Sequence, residues 1–156
     1  MIKIGVISDT HLNTVNNALK GLLKNELYGI DLLVHAGDMT STAVYNYLKN
    51  WHLLAVRGNM DDYELKELLP EKRIEIINDK KIGIIHGSGS PYGIEERVMR
   101  EFGEDVDIII FGHSHVPAKK DINGILCFNP GSFRDSKTAG IIELGEQIDF
   151  RFVTIE

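Results

Sequence analysis

Ile2-Lys3-Ile4-Gly5-Val6-Ile7 runs directly into Ser8-Asp9-Thr10-His11. A short run rich in β-branched residues and apolar on both faces reads as a strand of a sheet that is covered on both sides. The same succession recurs downstream. Leu32–Val34 is followed by His35-Ala36-Gly37-Asp38, Leu53–Val56 by Arg57-Gly58-Asn59, Ile82–Ile85 by His86-Gly87, and Ile108–Phe111 by Gly112-His113-Ser114-His115. Each of these strands delivers Asp, His or Asn just past its C-terminal end, which is where open α/β sheets form ligand sites. Glycine adjoins most of these residues, so the backbone there can turn sharply and approach a ligand closely.

Helical patterns lie between the strands. Val15, Leu19, Leu22 and Leu23 share one face, as do Val44, Tyr47, Leu48 and Trp51, and Ile94, Val98, Met99 and Phe102. Asp61–Glu71 reads as a short acidic helix or lid ending at Pro70. The second half carries hairpin signals: Asn78-Asp79-Lys80 between Arg73–Ile77 and Lys81–Ile85, and Asn123-Gly124 between His115–Ile122 and Ile125–Phe128. In the tail, Ile148, Phe150, Phe152 and Thr154 alternate on one side and are expected to pair back onto Gly140–Leu144. An alternating first half and an antiparallel second half predict an α/β fold, a mixed sandwich of two sheets, in one domain over residues 1–156.

Composition excludes several function classes. The chain has 156 residues, 43% hydrophobic and 26% charged, which is ordinary for one globular domain. Lys and Arg number 17 against 23 Asp and Glu, a formal charge of −6. That balance disfavours extended nucleic-acid binding and an anionic membrane surface, both of which rest on basic residues. The single cysteine, Cys127, excludes an internal disulfide and fits a reducing compartment, so a cytoplasmic location is expected. No apolar stretch approaches the roughly 20 residues that span a bilayer, and MIKIGVISDTH lacks a signal-peptide pattern. Self-association as a homo-oligomer is left open.

Asp9, His11, Asp38, Asn59, His86, His113 and His115 are carboxylates, imidazoles and one amide. That donor set suits Mn, Fe, Ni or Zn and lacks the thiolates of a structural zinc site. Seven ligands exceed the needs of one ion and suit two, about 3.5–4 Å apart. Each also has a plainer reading. Asp9, Thr10 and Asp38 are good helix caps, Asn59 is an ordinary turn residue, and a lone His86 suits a core. His113-x-His115 at a strand end would turn both rings to one side. Of the remaining residues, His35 is expected beneath the site, Cys127 in the core, and Arg57 buried against a phosphate or an ion-pair partner. Asn129–Ser132 is expected to line the pocket through its backbone, and Asp61-Asp62, Glu95-Glu96 and Glu104-Asp105 to be solvated faces.

In this order and at these separations, Asp9-x-His11, Gly37-Asp38, Gly58-Asn59, His86-Gly87 and Gly112-His113-x-His115 resemble the calcineurin-like metallophosphoesterases. Val56-Arg57-Gly58-Asn59 and Asn129-Pro130-Gly131-Ser132 are most similar to the small single-domain phosphodiesterase branch related to the YfcE protein. The resemblance runs from Ile2 through Ser132 and implies a four-layer α/β/β/α sandwich with two mixed β-sheets. It implies two divalent ions, Mn foremost, with Ni, Fe, Zn or Mg as alternatives. Asp9, His11 and His115 would hold one ion, Asn59, His86 and His113 the other, and Asp38 would bridge them. Asp38, Asn59 and His86 would serve catalysis, in which a hydroxide shared by the ions attacks phosphorus. The implied substrate is a small phosphate ester, in the first place a diester.

Many members of the family carry histidine directly after Gly-Asn; here Met60 stands there, and methionine transfers no proton. Two rival functions follow from the same resemblance. One is a scaffold like vacuolar sorting protein 29, in which the ligand pattern degenerates; intact Asp38 and Asn59 favour an enzyme. The other is a nucleotide or dinucleoside-polyphosphate hydrolase, whose phosphate contacts would fall to Arg57, Arg97, Arg100 and Arg134.

Overall fold

A computed structural model describes residues 1–156. The strands are β1 (Ile2–Ile7), β2 (Leu32–His35), β3 (Leu53–Ala55), β4 (Lys72–Ile77), β5 (Lys80–Ile85), β6 (Ile108–Ile110), β7 (Ala118–Ile122), β8 (Ile125–Asn129), β9 (Thr138–Leu144) and β10 (Ile148–Thr154). The helices are α1 (Asn17–Lys24), α2 (Thr42–Leu48), α3 (Tyr63–Leu68) and α4 (Ile94–Phe102). One sheet has the order β10-β9-β1-β2-β3 and the other β4-β5-β6-β8-β7. No helix is long and apolar enough to cross a membrane.

Alternation along the strands builds three cores. Ile4, Val6, Leu32, Val34, Leu54, Ile82, Ile84, Ile108 and Ile110 meet between the sheets. Their neighbours Ile7, Leu33 and Ala55 face outward against Leu19, Leu22 and Leu23 of α1 and Val44 and Leu48 of α2. On the other side Ile85 and Ile109 pack against Ile94, Val98 and Phe102 of α4. The chain is therefore a four-layer α/β/β/α sandwich of two mixed sheets, as the resemblance implies. Strands apolar on both faces are what this layering requires, since each face meets a different core. Each fully buried Ile or Leu contributes about 1.5–3 kcal/mol to holding the layers together.

Both hairpins form where expected, with Asn78, Asp79 and Asn123 in positive φ as tight hairpin turns demand. The tail pairs as read, from Ile148 opposite Leu144 to Thr154 opposite Thr138. The second half is not uniformly antiparallel, however. β6 is parallel to both β5 and β8, and β7 lies at the edge beyond β8. Polarity sets that order: β6 and β8 are almost wholly buried, whereas Lys119, Lys120 and Asp121 of β7 suit an exposed edge.

The helices start at caps other than Asp9 and Asp38. Asn16 accepts the Leu19 N–H to begin α1, Ser41 accepts that of Val44 to begin α2, and Asp62 accepts that of Leu65 to begin α3. Asp9 and Asp38 are thus free for other work. Two of the acidic pairs are not solvated faces: Asp61 and Glu95 are buried, the latter ion-paired with Lys120 at 3.1 Å.

Candidate metal centre

The C-terminal ends of β1 and β2 in one sheet and of β5 and β6 in the other meet at one edge of the sandwich. Backbone bonds tie their loops together: Asp9 N–H donates to the Gly37 carbonyl at 2.9 Å, His11 N–H to that of Asp38 at 3.1 Å, and Gly112 N–H to that of His86 at 3.0 Å. Asp9, His11, Asp38, His86 and His115 converge there in two overlapping clusters, Asp9 with His11 and His115, and Asp9 with Asp38 and His86. His113 stands beside them, its ring edge-on to His86 at 5.1 Å between centroids. Asn59 is exposed and lines, with His86, the cavity that opens next to the cluster.

Each carboxylate is anchored by one oxygen and presents the other. Asp9 Oδ2 accepts the Ser8 hydroxyl at 2.6 Å and the His113 N–H at 3.2 Å. Its Oδ1 then lies 3.7 Å from His11 Nε2, 3.8 Å from His86 Nε2 and 3.2 Å from His115 Nε2. Asp38 Oδ1 accepts the Met60 N–H at 2.8 Å, which leaves Oδ2 3.6 Å from His11 Nε2 and 3.1 Å from His86 Nε2. Asp9 therefore faces both halves of the site, a wider reach than the His11 and His115 side assigned to it by resemblance.

The imidazoles are oriented in the same way. His86 Nδ1 donates to the Ala36 carbonyl at 2.7 Å, His113 Nε2 to that of Gly89 at 3.1 Å, and His115 Nδ1 pairs with Asp135 Oδ2. Fixing one ring nitrogen sets the tautomer and aims the other as a ligand. Asp9 Oδ1, His11 Nε2 and His86 Nε2 are buried and have no hydrogen-bond partner. Buried polar atoms left unpaired cost about 1–3 kcal/mol each, so three of them converging is what a cation site demands. The residues present fit a pair of divalent cations.

Burial alone would raise the Asp9 and Asp38 carboxyls, but hydrogen bonds and the neighbouring imidazoles outweigh it, so both lie below the usual carboxylate range. Burial would lower His86, yet the carboxylates of Asp38 and Asp9 facing its Nε2 hold it above the ordinary imidazole value. The cluster is thus built around negative charge that attracts protons or cations. His35, wholly buried behind it, is pushed down to about 4, first by burial. It stays neutral, accepting the Gly37 N–H at 3.1 Å and facing the Thr10 hydroxyl at 3.2 Å.

The backbone is strained where the ligands sit. Asp9, His11, Asp38, His113 and His115 all have positive φ, between 49° and 70°. Such a conformation costs roughly 1–2 kcal/mol for a residue with a Cβ. His113 and His115 therefore lie in a left-handed loop beyond β6, not on a strand, and their convergence owes nothing to strand alternation. The adjoining glycines are required by contact. A Cβ on Gly58 would lie 2.2 Å from Asp38 Oδ1, and one on Gly112 would lie 2.1 Å from Ser8 Oγ.

Several supporting residues escape a reading of the sequence. Asp61 is buried; its carboxylate accepts the Thr40 N–H and the Gly58 N–H, both at 2.7 Å, and so clamps the two loops that carry Asp38 and Asn59. Asn129 and Ser132 do not line the pocket. Asn129 Nδ2 donates to the Gly112 carbonyl at 3.2 Å and Ser132 Oγ to that of Asp9 at 3.1 Å, bracing the site from beneath. Arg57 is half-buried, lines the cavity and has no acidic partner; its Nη1 donates to the Lys66 carbonyl at 3.1 Å. Asp135 carries no motif at all. Because it fixes His115, Asp135→Asn is expected to weaken metal affinity and turnover by roughly 10–100-fold, as loss of a ligand's supporting partner does elsewhere. Metal titration of the variant checks this, and an unchanged affinity would show that Asp135 is dispensable.

The calcineurin-like phosphoesterase superfamily domain matches residues 2–145. The chain belongs to that superfamily. This phosphoesterase is 41% identical over 132 residues, 83% of its own length and 67% of the other's, to the probable metallophosphoesterase MJ0623 of Methanocaldococcus jannaschii. It is 27% identical to phosphodiesterase MJ0936 of the same organism, over 99% of this chain and 100% of that one. It is also 30% identical to vacuolar protein sorting-associated protein 29 of Schizosaccharomyces pombe, over 81% of this chain and 68% of that one. Among solved structures, an archaeal phosphodiesterase superposes with a TM-score of 0.79 at 24% identity, over 99% of this chain and 100% of the other. The phosphoesterase thus has the family's fold, and with it the character of a metal-dependent hydrolase of phosphoric esters.

Proposed function

We propose that this phosphoesterase is a two-metal phosphodiesterase that prefers Mn. The observation that carries the reading is the convergence of Asp9 Oδ1, His11 Nε2 and His86 Nε2, buried and unpaired, from both sheets. His11, His115 and Asp9 would hold one cation, His86, His113 and Asn59 the other, with Asp38 Oδ2 between His11 and His86 as the shared ligand. Bound there, the cations supply acidified water and neutralise charge on the phosphoryl oxygens. The chain's own residues do the rest. Asp38 and Asp9 hold the negative charge of the site, His86 is locked by Ala36, and Asn59 at the cavity rim has an amide to offer a phosphate oxygen.

The relative named as a sorting protein keeps a scaffold in view as the rival. All seven metal-type residues are present here, and anchoring bonds stand behind Asp9, Asp38, His86, His113 and His115, which supports an enzyme. The single buried thiol of Cys127 supports a reducing, cytoplasmic setting. The decisive assay is hydrolysis of bis(4-nitrophenyl) phosphate by metal-stripped protein, reloaded with single metals. Activity is expected to vanish with chelator and to return with Mn. Full activity without metal would sink the mechanism, and none under any metal would leave the scaffold.

A further inference from the structure

A cavity of about 600 Å3 opens beside His86 and Asn59, between α3 and α4. Among its lining residues only Ile85 and Val98 are apolar. Four cations line it, Arg57, Lys66, Arg97 and Arg100, against two carboxylates, Glu71 and Glu101, in a chain whose formal charge is −6. None of the four is in a salt bridge, whereas Glu101 is engaged by Lys72 at 3.2 Å. Arg97 is committed to the loop behind it, donating to the Ser88 and Tyr92 carbonyls at 3.0 and 2.8 Å. Its charge is still uncompensated. Arg57 spends one N–H on the Lys66 carbonyl, and the Arg100 and Lys66 side chains have no partner. Like charges gathered without counter-charges repel one another, and an acidic protein has carboxylates to spare for neutralising them. Concentrating unpaired cations at one concave place raises the local anion concentration there.

We infer that this cavity is an anion subsite for a second phosphate group carried by the substrate, adjacent to the ester that is cleaved. The inference rests on the phosphodiesterase reading and narrows it: the preferred substrate is a diester bearing a further phosphomonoester, in the manner of a nucleoside bisphosphate. Guanidinium and ammonium groups with free N–H donors suit a phosphate dianion, which accepts several charge-assisted hydrogen bonds at once. Aryl diesters without a second phosphate use none of these groups.

A matched pair of chromogenic substrates isolates the effect: thymidine 5′-(4-nitrophenyl) phosphate and the same compound with a 3′-phosphate. With Mn-loaded protein at low salt, the added phosphate is expected to raise kcat/KM about tenfold, the order of one or two charge-assisted bonds. The advantage should shrink as ionic strength rises, because Lys66 and Arg100 are exposed. The double variant Lys66→Glu/Arg100→Glu, whose altered side chains hold nothing else in place, should abolish or reverse the preference. Lys20→Glu, an equal change on the exposed face of α1, should leave it. Calorimetric titration with thymidine 3′,5′-bisphosphate and thymidine 5′-monophosphate gives a readout independent of turnover. The bisphosphate should bind about tenfold tighter, and the double variant should lose that margin. Hydrolysis of both substrates with no preference, together with equal affinities, overturns the subsite and leaves the phosphodiesterase standing. Failure to hydrolyse either substrate, with the affinity margin intact, overturns the phosphodiesterase and keeps the anion site.

Discussion

Asp38→Ala lowers kcat/KM for a chromogenic diester on the order of 10³-fold or more, beyond the roughly 10–100-fold expected for a supporting residue. Asp38 Oδ2 lies between His11 and His86 while Oδ1 holds the Met60 N–H, so alanine would remove the anion proposed to be shared and free the loop that presents Asn59. Two cations left without a common ligand repel each other, so bound metal per chain should fall as well. Asp38→Asn separates charge from shape: it keeps an oxygen in place and loses the negative charge, and it too should bind metal poorly. Asp149→Ala, an exposed carboxylate on β10, should change neither readout. Metal content and turnover near those of the native protein in both Asp38 variants would show that the shared ligand is another residue, with Asp9 next in line because its Oδ1 touches both clusters.

Turnover falls steeply as the pKa of the leaving group rises. Met60 is exposed beside the site and contributes only its backbone N–H, so the position after Asn59 carries no acid. Three of the other imidazoles are committed elsewhere. His35 is buried and held neutral, with its pKa down at about 4, and His86 and His115 are fixed through Nδ1 with Nε2 facing the carboxylates. An alkoxide departing without a proton donor forfeits the roughly 10²–10⁴-fold that general-acid help supplies. Aryl diesters should therefore be cleaved well and alkyl esters poorly, and Met60→His should flatten the dependence where the ring can reach the leaving oxygen. A series of substituted phenols measured with both proteins decides the matter. A flat dependence in the native protein would mean that another group donates the proton.

The strand-end residues were legible because two local rules coincide. Buried strands show as apolar runs, and polar residues that break off such runs beside glycine have few structural uses. His113 and His115 reach the site from a left-handed loop and not from the extended strand end that their spacing implied. Asp61 was misread because an Asp-Asp pair looks solvated until a clamp across two loops is seen. Asp135, twenty residues from its imidazole partner, leaves no mark in the sequence at all.

By itself, the sequence determined two sheets covered on both faces and a candidate donor set. Periodicity in the strands demands a core on each face, and seven metal-type residues at strand ends admit few other chemistries. Only the tertiary structure decided which oxygen or nitrogen of each ligand is free, which carboxylates stand behind them, and where unpaired cations gather. Those properties depend on distances of a few ångströms between segments far apart in the chain: His115 against Asp9, Met60 against Asp38, Arg100 of α4 beside Lys66 of α3. A hydrogen bond exists or fails over such distances, and residue order carries no record of them.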